Sequence, residues 1–253
     1  MRVVVVGAAG RMGIAVRAAL QDWPDSKLVG AIGREANAQH GITTDLEAVL
    51  PSANVMIDFS SPESTAKNLA ACARQGVAAL VGTTGLGSEA LAAANAAAAK
   101  IPLIVAANTS LGVTLLLELV RAAAQALPAD FDIEIVEGHH RHKKDAPSGT
   151  ALALGRAAAA GRDQTLEAAM AGDPRGESLR RAGEIGFAVV RGGDIVGDHT
   201  VLFAGAGERV AISHQATDRT IFARGALQAA RWLLGRAPGH YEMSEVICFK
   251  SIT

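Results

Sequence analysis

Cysteine is almost absent. Cys72 and Cys248 are the only two in 253 residues, far apart and outside any metal or redox spacing. This excludes a cysteine-built metal or redox centre and predicts reduced, packed thiols in a cytoplasmic protein. Charge is balanced, with 24 Lys and Arg against 25 Asp and Glu for a formal −1, so the broad basic surplus of a nucleic-acid or membrane-surface binder is missing. No run reads as membrane-spanning: the most apolar later stretch, residues 111–127, is broken by Glu118 and Arg121 and predicts a buried or half-buried helix. Nor does the amino terminus read as a signal peptide, because Arg2 leads directly into Val3-Val4-Val5-Val6 and a glycine turn. What the chain does have is apolar mass, 49% hydrophobic content, ample for a core in one large domain or two small ones.

In the first hundred residues short β-branched runs alternate with Ala/Leu-rich runs, the pattern of βαβ units. Strands are predicted over 3–6, 28–32, 55–58, 77–81 and 103–106. Helices are predicted over 11–20, from Ser61-Pro62-Glu63 to Gly76, and from a Ser88 cap through Ala99. The expected fold is α/β, a Rossmann-like doubly wound parallel sheet. From about Leu111 the pattern changes. Strands over 131–136, 185–191, 195–203 and 209–214 predict an inserted α+β domain on a mixed open sheet. The last three, joined at Gly192-Gly193 and Gly205-Ala206-Gly207, read as a meander. A helix over 220–234 and a short strand over 246–249 then return to the first domain. The expected organisation is a dinucleotide-binding domain, 1–109, a substrate-binding and oligomerisation domain, 110–216, and a return segment, 217–253. A sheet with one face and its edges uncovered favours self-association.

The first strand runs into Gly7-Ala8-Ala9-Gly10-Arg11-Met12-Gly13, a G-x-x-G-x-x-G turn that opens a helix. Glycine permits the tight turn and lets a pyrophosphate approach the backbone, while the helix start supplies amides and positive potential. Inside a βαβ unit this predicts a dinucleotide on Gly7, Ala8, Ala9, Gly10, Arg11 and Met12, against a plain tight turn. Where an NAD site offers an acid to the adenosine ribose, this chain has Gly33-Arg34. Arginine suits a 2′-phosphate and favours NADPH; Glu35 keeps NADH open, and a plain surface arginine is the competing reading. Two loops at the carboxyl ends of predicted strands, Gly82-Thr83-Thr84-Gly85 and Ala106-Ala107-Asn108-Thr109-Ser110, are placed to line the nicotinamide.

Reactive groups concentrate in residues 134–150, which hold three of the seven histidines with Lys143 and Lys144. Imidazole titrates near neutral pH, and a lysine can hold a carboxylate or release a proton. Pro147-Ser148-Gly149-Thr150 then leads a helical run over 151–160 whose first amides would receive an anion. The segment suits gripping a carboxylated substrate and protonating it. Three other readings compete. A metal set of His139, His140 and His142 lacks a cysteine or carboxylate spacing to complete a zinc site. A nucleic-acid patch lacks interleaved aromatics and is interrupted by Asp145. A solvated loop is the third. His40, His199, His214 and His240 read as structural, His199 near the site but without a role.

Together these residues closely resemble the 4-hydroxy-tetrahydrodipicolinate reductase family, long called dihydrodipicolinate reductase, from end to end. The motifs are Gly7-x-x-Gly10-Arg11-Met12-Gly13, Gly82-Thr83-Thr84-Gly85, Asn108-x-Ser110, Glu137-x-His139-His140-x-x-Lys143-x-Asp145-x-Pro147-Ser148-Gly149-Thr150 and Arg191-x-Gly193-Asp194-Ile195-Val196-Gly197-x-His199-Thr200. The resemblance implies lysine-pathway reduction of a cyclic imine dicarboxylate by hydride from NADPH or NADH, giving tetrahydrodipicolinate. It implies His139 as principal acid/base, Lys143 as proton donor and carboxylate partner, and His140 with Gly149 and Thr150 as substrate-binding groups, without a metal. It further implies a homotetramer built through the second domain's sheet and a hinge that closes over substrate. Three positions depart from the family's pattern. Ala9 replaces a frequent glycine, Gly33 replaces the acid that helps some members use NADH, and Thr109 is smaller than the aromatic often found there. A non-catalytic NADPH sensor and a related amino-acid imine or semialdehyde dehydrogenase are the alternatives.

Overall fold

The computed structural model describes residues 1–172 and 179–247; Cys248 and the Phe249 end of the expected last strand lie outside them. Among the described residues the chain forms two compact units, one of 1–111 with 219–247, the other of 112–218. Among the described residues, no helix is long and apolar enough to cross a membrane.

The first unit begins with β1 (Arg2–Val6), α1 (Arg11–Gln21), β2 (Lys27–Ile32), β3 (Ile42–Thr43), α2 (Leu46–Val49) and β4 (Val55–Asp58). It continues with α3 (Pro62–Gln75), β5 (Ala78–Val81), α4 (Ser88–Ala98) and β6 (Pro102–Val105). Next come α5 (Leu111–Ala126), β7 (Asp132–His139), α6 (Gly149–Gly161), α7 (Leu166–Ala169), β8 (Ile185–Arg191), β9 (Gly197–Gly205) and β10 (Glu208–Ala216), which belong to the second unit apart from Leu111. The chain returns to the first with α8 (Thr220–Leu233), β11 (Gly239–Tyr241) and α9 (Met243–Val246).

The first sheet runs β11-β6-β5-β4-β1-β2-β3 and every pairing in it is parallel. The unbroken valine run of β1 follows from burial on both faces. Val3 and Val5 join a core with Val16 of α1 and Leu227 of α8, whereas Val4 and Val6 join one with Leu69 of α3 and Ala94 of α4. Cys72 is buried beside Met56, and burial, with the charge of Asp58 assisting, pushes its thiol up to about 12. From β1 the chain winds outward to β3, then crosses back to β4 and proceeds the other way. The switch point therefore lies between β1 and β4, where sheets of this kind take ligands.

Two local expectations need correction. Residues 246–249, Val-Ile-Cys-Phe, read as a short strand, but Glu242 and Glu245 form a reciprocal capping box that makes Val246 the end of α9. The edge strand is β11 instead, three residues that follow Pro238 and are recruited by pairing with β6. The α4 cap is Gly87, with Ser88 already inside the helix and no side-chain bond at the cap.

The second sheet runs β10-β9-β7-β8, with β7–β8 parallel and the other two pairings antiparallel. It is mixed, as expected, but β8, β9 and β10 are not a meander, because β7 lies between β8 and β9. Ile133 and Ile135 of β7 are fully buried, which favours the central place. The 192–196 connection hooks over its end, Gly192 N donating to His139 O at 3.0 Å and Arg141 N to Gly193 O at 3.3 Å. Residues of α5 and α6, among them Leu116, Val120, Leu154 and Ala158, cover one face. On the other face Val136 and Val190 remain 39% and 49% exposed.

Candidate active site

At the switch point the backbone leaves no room for side chains. Gly7 has φ +76°, and a Cβ there would stand 2.4 Å from the Phe59 carbonyl oxygen; one on Gly13 would stand 2.2 Å from the Gly7 carbonyl oxygen. Ala9 fits because Asp25 and Asp163 are the only non-glycine described residues with positive φ. The N-cap of α1 is Gly10, with no side-chain cap and no acid in the first turn, so the helix start is kept for a ligand's negative charge. These features fit the diphosphate of a nicotinamide dinucleotide.

The loops at the neighbouring strand ends are tied together from below. Asp58 is fully buried, and its carboxylate accepts from Ser60 N at 2.8 Å, Ser60 Oγ at 2.5 Å and Asn68 Nδ2 at 3.0 Å, with Thr83 Oγ1 at 3.5 Å. Thr83 thus faces Asp58, while Thr84 is exposed. Thr109 is buried, its hydroxyl donating to Phe222 O at 2.7 Å, and Asn108 Oδ1 accepts from Ser110 N at 2.9 Å. These contacts shape the loop and leave Ala106 and Ala107 nearer its surface. Exposed Arg34 lines a cavity of about 960 Å³ with Ala9, Arg17, Asn37 and His40. A Cβ on Gly33 would come within 2.7 Å of Ile42 Cγ2, so β3 crowds the position where an acid would meet the ribose.

In the second unit, strand periodicity assembles the reactive groups. The inward face of β7 reads Ile133, Ile135, Glu137, His139, apolar first and then polar, with Glu137 fully buried and His139 9% exposed. Register sets Arg191 of β8 beside His139 and His199 of β9 beside Glu137. Glu137 accepts a two-pronged contact from Arg191 at 2.7 and 2.9 Å, the Ser148 amide at 3.0 Å, and meets His139 Nδ1 at 2.6 Å. Burial pushes the Glu137 carboxyl up, but the bonds from Arg191, His139 and Ser148 outweigh it and hold the group below the ordinary carboxylate value.

Ser148 is the N-cap of α6, accepting from Ala151 N at 3.2 Å, and its hydroxyl meets His199 Nε2 at 3.2 Å. The His199 ring stands edge-on to His139 with centroids 5.1 Å apart. Burial first, and the charge of His139 second, lower the His199 pKa to about 4, so it is neutral at physiological pH. Lys143 Nζ pairs with Asp145 at 2.9 Å and holds that carboxyl below its usual value, while Arg191 donates to the Asp145 carbonyl at 2.7 Å. The carbonyl of half-buried His140 accepts from Lys143 N at 3.1 Å. Gly149 and Thr150 form the first turn of α6. His142 and Lys144 are exposed. Among the described residues, no group of three or more His, Cys, Asp or Glu side chains is arranged to hold a metal ion.

Sequence reasoning had Glu137 and Arg191 only as motif letters, and placed His199 near the site without a role. The available signal was period-two alternation, which puts Glu137 on the face of His139.

A parallel sheet with a glycine-lined crevice at its switch point, and a second unit carrying imidazole, ammonium and a helix start, define a nicotinamide-nucleotide-dependent oxidoreductase. Residues 1–109 match the family described as dihydrodipicolinate reductase, N-terminus, and residues 112–247 match dihydrodipicolinate reductase, C-terminus. The chain is 49% identical to the 4-hydroxy-tetrahydrodipicolinate reductase of Alkalilimnicola ehrlichii over 97% of this chain and 98% of that one. It is likewise 49% identical to the Zymomonas mobilis protein of the same name, over 98% and 97%. A dipicolinate-bound dihydrodipicolinate reductase from Paenisporosarcina sp. TG-14 shares the fold, with a TM-score of 0.81 at 23% identity over 96% and 97% of the two chains. The chain belongs to the dihydrodipicolinate reductase family.

Proposed function

We propose that the protein reduces 4-hydroxy-tetrahydrodipicolinate to tetrahydrodipicolinate with NAD(P)H, in lysine and diaminopimelate biosynthesis. The observation that carries this reading is His139, anchored at Nδ1 by Glu137, in a chain that matches reductases of this name along nearly its whole length. The nicotinamide supplies the hydride. His139 is the principal acid/base, and Lys143 gives a proton and holds a carboxylate. His140, with Ser148, Gly149 and Thr150 at the start of α6, binds the dianionic substrate, for which helix-end amides and fixed positive charge are the fitting partners. Gly7, Ala8, Ala9, Gly10, Arg11 and Met12 hold the diphosphate. Gly82, Thr83, Thr84, Ala106, Ala107, Asn108 and Thr109 flank the nicotinamide.

NADPH is the preferred cofactor, with NADH usable. Arg34 supports this by offering its cation to the cavity, and Gly33 by standing where Ile42 leaves an acid no room. The enzyme is cytoplasmic and assembles as a homotetramer through the open face of the second sheet, where Val136 and Val190 are exposed.

The test is nicotinamide oxidation with substrate generated in situ from pyruvate and aspartate semialdehyde by the synthase that makes it, comparing both cofactors. Rapid, synthase-dependent oxidation, faster with NADPH, is expected. Tight NADPH binding with no oxidation would return the sensor reading.

A further inference from the structure

The proposed acid/base has its back to a fully buried carboxylate. Glu137 has no exposed surface, yet it makes four polar contacts: two with the Arg191 guanidinium, one with the Ser148 amide and one with His139 Nδ1. Carboxylates buried at this depth are rare unless paired. An ionised carboxylate is an acceptor only, so Nδ1 must carry the hydrogen in the 2.6 Å contact with His139.

We propose that Glu137 is a positioning residue of the reductase: by accepting the Nδ1 hydrogen of His139 it fixes the tautomer and plane of the ring, leaving Nε2 to exchange the substrate proton. The inference rests on the reductase reading above. Nε2 has been given space to work, since a Cβ on Gly197 would stand 3.2 Å from it and glycine removes that atom. When Nε2 holds its proton the imidazolium is compensated by Glu137; when that proton leaves for the substrate, the remaining hydrogen stays on Nδ1, donated to Glu137.

The other charged and titratable groups around His139 do not replace this device. Arg191 arrives from β8 and is committed to Glu137 and to the carbonyls of Val190 and Asp145. His199, from β9, stands edge-on, and His214 pairs with it from β10. Lys143 and Asp145, from the loop after β7, pair with each other.

Glu137→Gln in the full chain tests the proposal. Glutamine keeps the shape but can turn either its amide or its carbonyl to Nδ1, so the tautomer is no longer dictated. The expected result is a fall in kcat of about 10²-fold or more. The KM for NADPH should stay within about two-fold and dipicolinate should still bind, both gauged against the roughly ten-fold change that 1.4 kcal/mol produces. Loss of the compensating charge should also move the alkaline limb of kcat down by about one pH unit. A folded Glu137→Gln enzyme with kcat within about three-fold of wild type and an unmoved limb would overturn the proposal, since general acid–base help is worth far more.

If the glutamine variant does not fold, Glu137→Asp decides, because it keeps the charge and withdraws it by one methylene. Reduced kcat with an unmoved alkaline limb supports positioning, and full kcat overturns it. A wild-type enzyme that fails to turn over the substrate overturns the reductase reading and this inference with it.

Discussion

Arg191→Ala isolates the energetics of the site. The substitution removes both guanidinium contacts to Glu137 and the contact to the Asp145 carbonyl, leaving a fully buried carboxylate with the Ser148 amide and His139 Nδ1. Removing one partner of a buried ion pair costs about 3–5 kcal/mol. The Arg191 side chain keeps 19% of its surface, so water can replace part of the lost solvation, and about 2–3 kcal/mol is expected here.

The loss carries a pH signature. In the wild type the folded Glu137 carboxyl lies below its ordinary value. Its stabilisation is therefore present above about pH 4.3 and lost as pH falls through the folded value. Removing the guanidinium takes away the largest of the contacts that lower the carboxyl, so the group moves up and the variant loses this stabilisation at neutral pH. The gap between the two proteins should be about 2–3 kcal/mol at pH 7.5 and shrink below about 1 kcal/mol near pH 4. Trp23 and Trp232 both fall in the first unit, so urea unfolding has to be followed by circular dichroism or by hydrogen exchange in β7 peptides. A gap that is absent at pH 7.5, or equal at both pH values, would refute the reasoning.

Other substitutions separate the remaining roles. Lys143→Ala should lower turnover by about 10²-fold or more while NADPH binding, measured by fluorescence titration, stays nearly intact; equal loss of both would remove Lys143 from substrate chemistry. Arg34→Ala should raise the KM for NADPH by about ten-fold, equivalent to 1.4 kcal/mol, and spare NADH; an unchanged preference in steady-state kinetics would take Arg34 out of the cofactor site. Gly197→Ala places a methyl 3.2 Å from His139 Nε2. It should cut kcat by about ten-fold or more without lowering thermal stability, because adding a Cβ also restricts the unfolded chain; unchanged kcat would mean that Nε2 is not the working atom.

How far the sequence could be read depended on whether a feature was local. The parallel sheet was legible because Val3-Val4-Val5-Val6 runs into Gly7 and each later strand is punctuated by its own turn and helix start. β11 was not, since three residues after Pro238 have no period and become a strand only by pairing with β6. The mixed character of the second sheet was legible, but its strand order was not. Gly192-Gly193 looks like a hairpin turn and instead spans β7, a choice made by the burial of Ile133 and Ile135. The site follows the same rule. His139, Lys143 and Ser148 are neighbours in sequence and could be grouped by inspection. Arg191 and His199 lie 54 and 51 residues from the partners they bond, Glu137 and Ser148, and only the register of β7 with β8 and β9 brings them in.

The central claim, hydride transfer to the ring of a dicarboxylate imine, is tested most directly with NADPH deuterated at the transferring C4 position and substrate made in situ, the product being weighed by mass spectrometry. The account predicts tetrahydrodipicolinate carrying one deuterium, formed in step with NADPH oxidation. Oxidation of NADPH without deuterium in the ring product, or no oxidation in the presence of substrate, would contradict it.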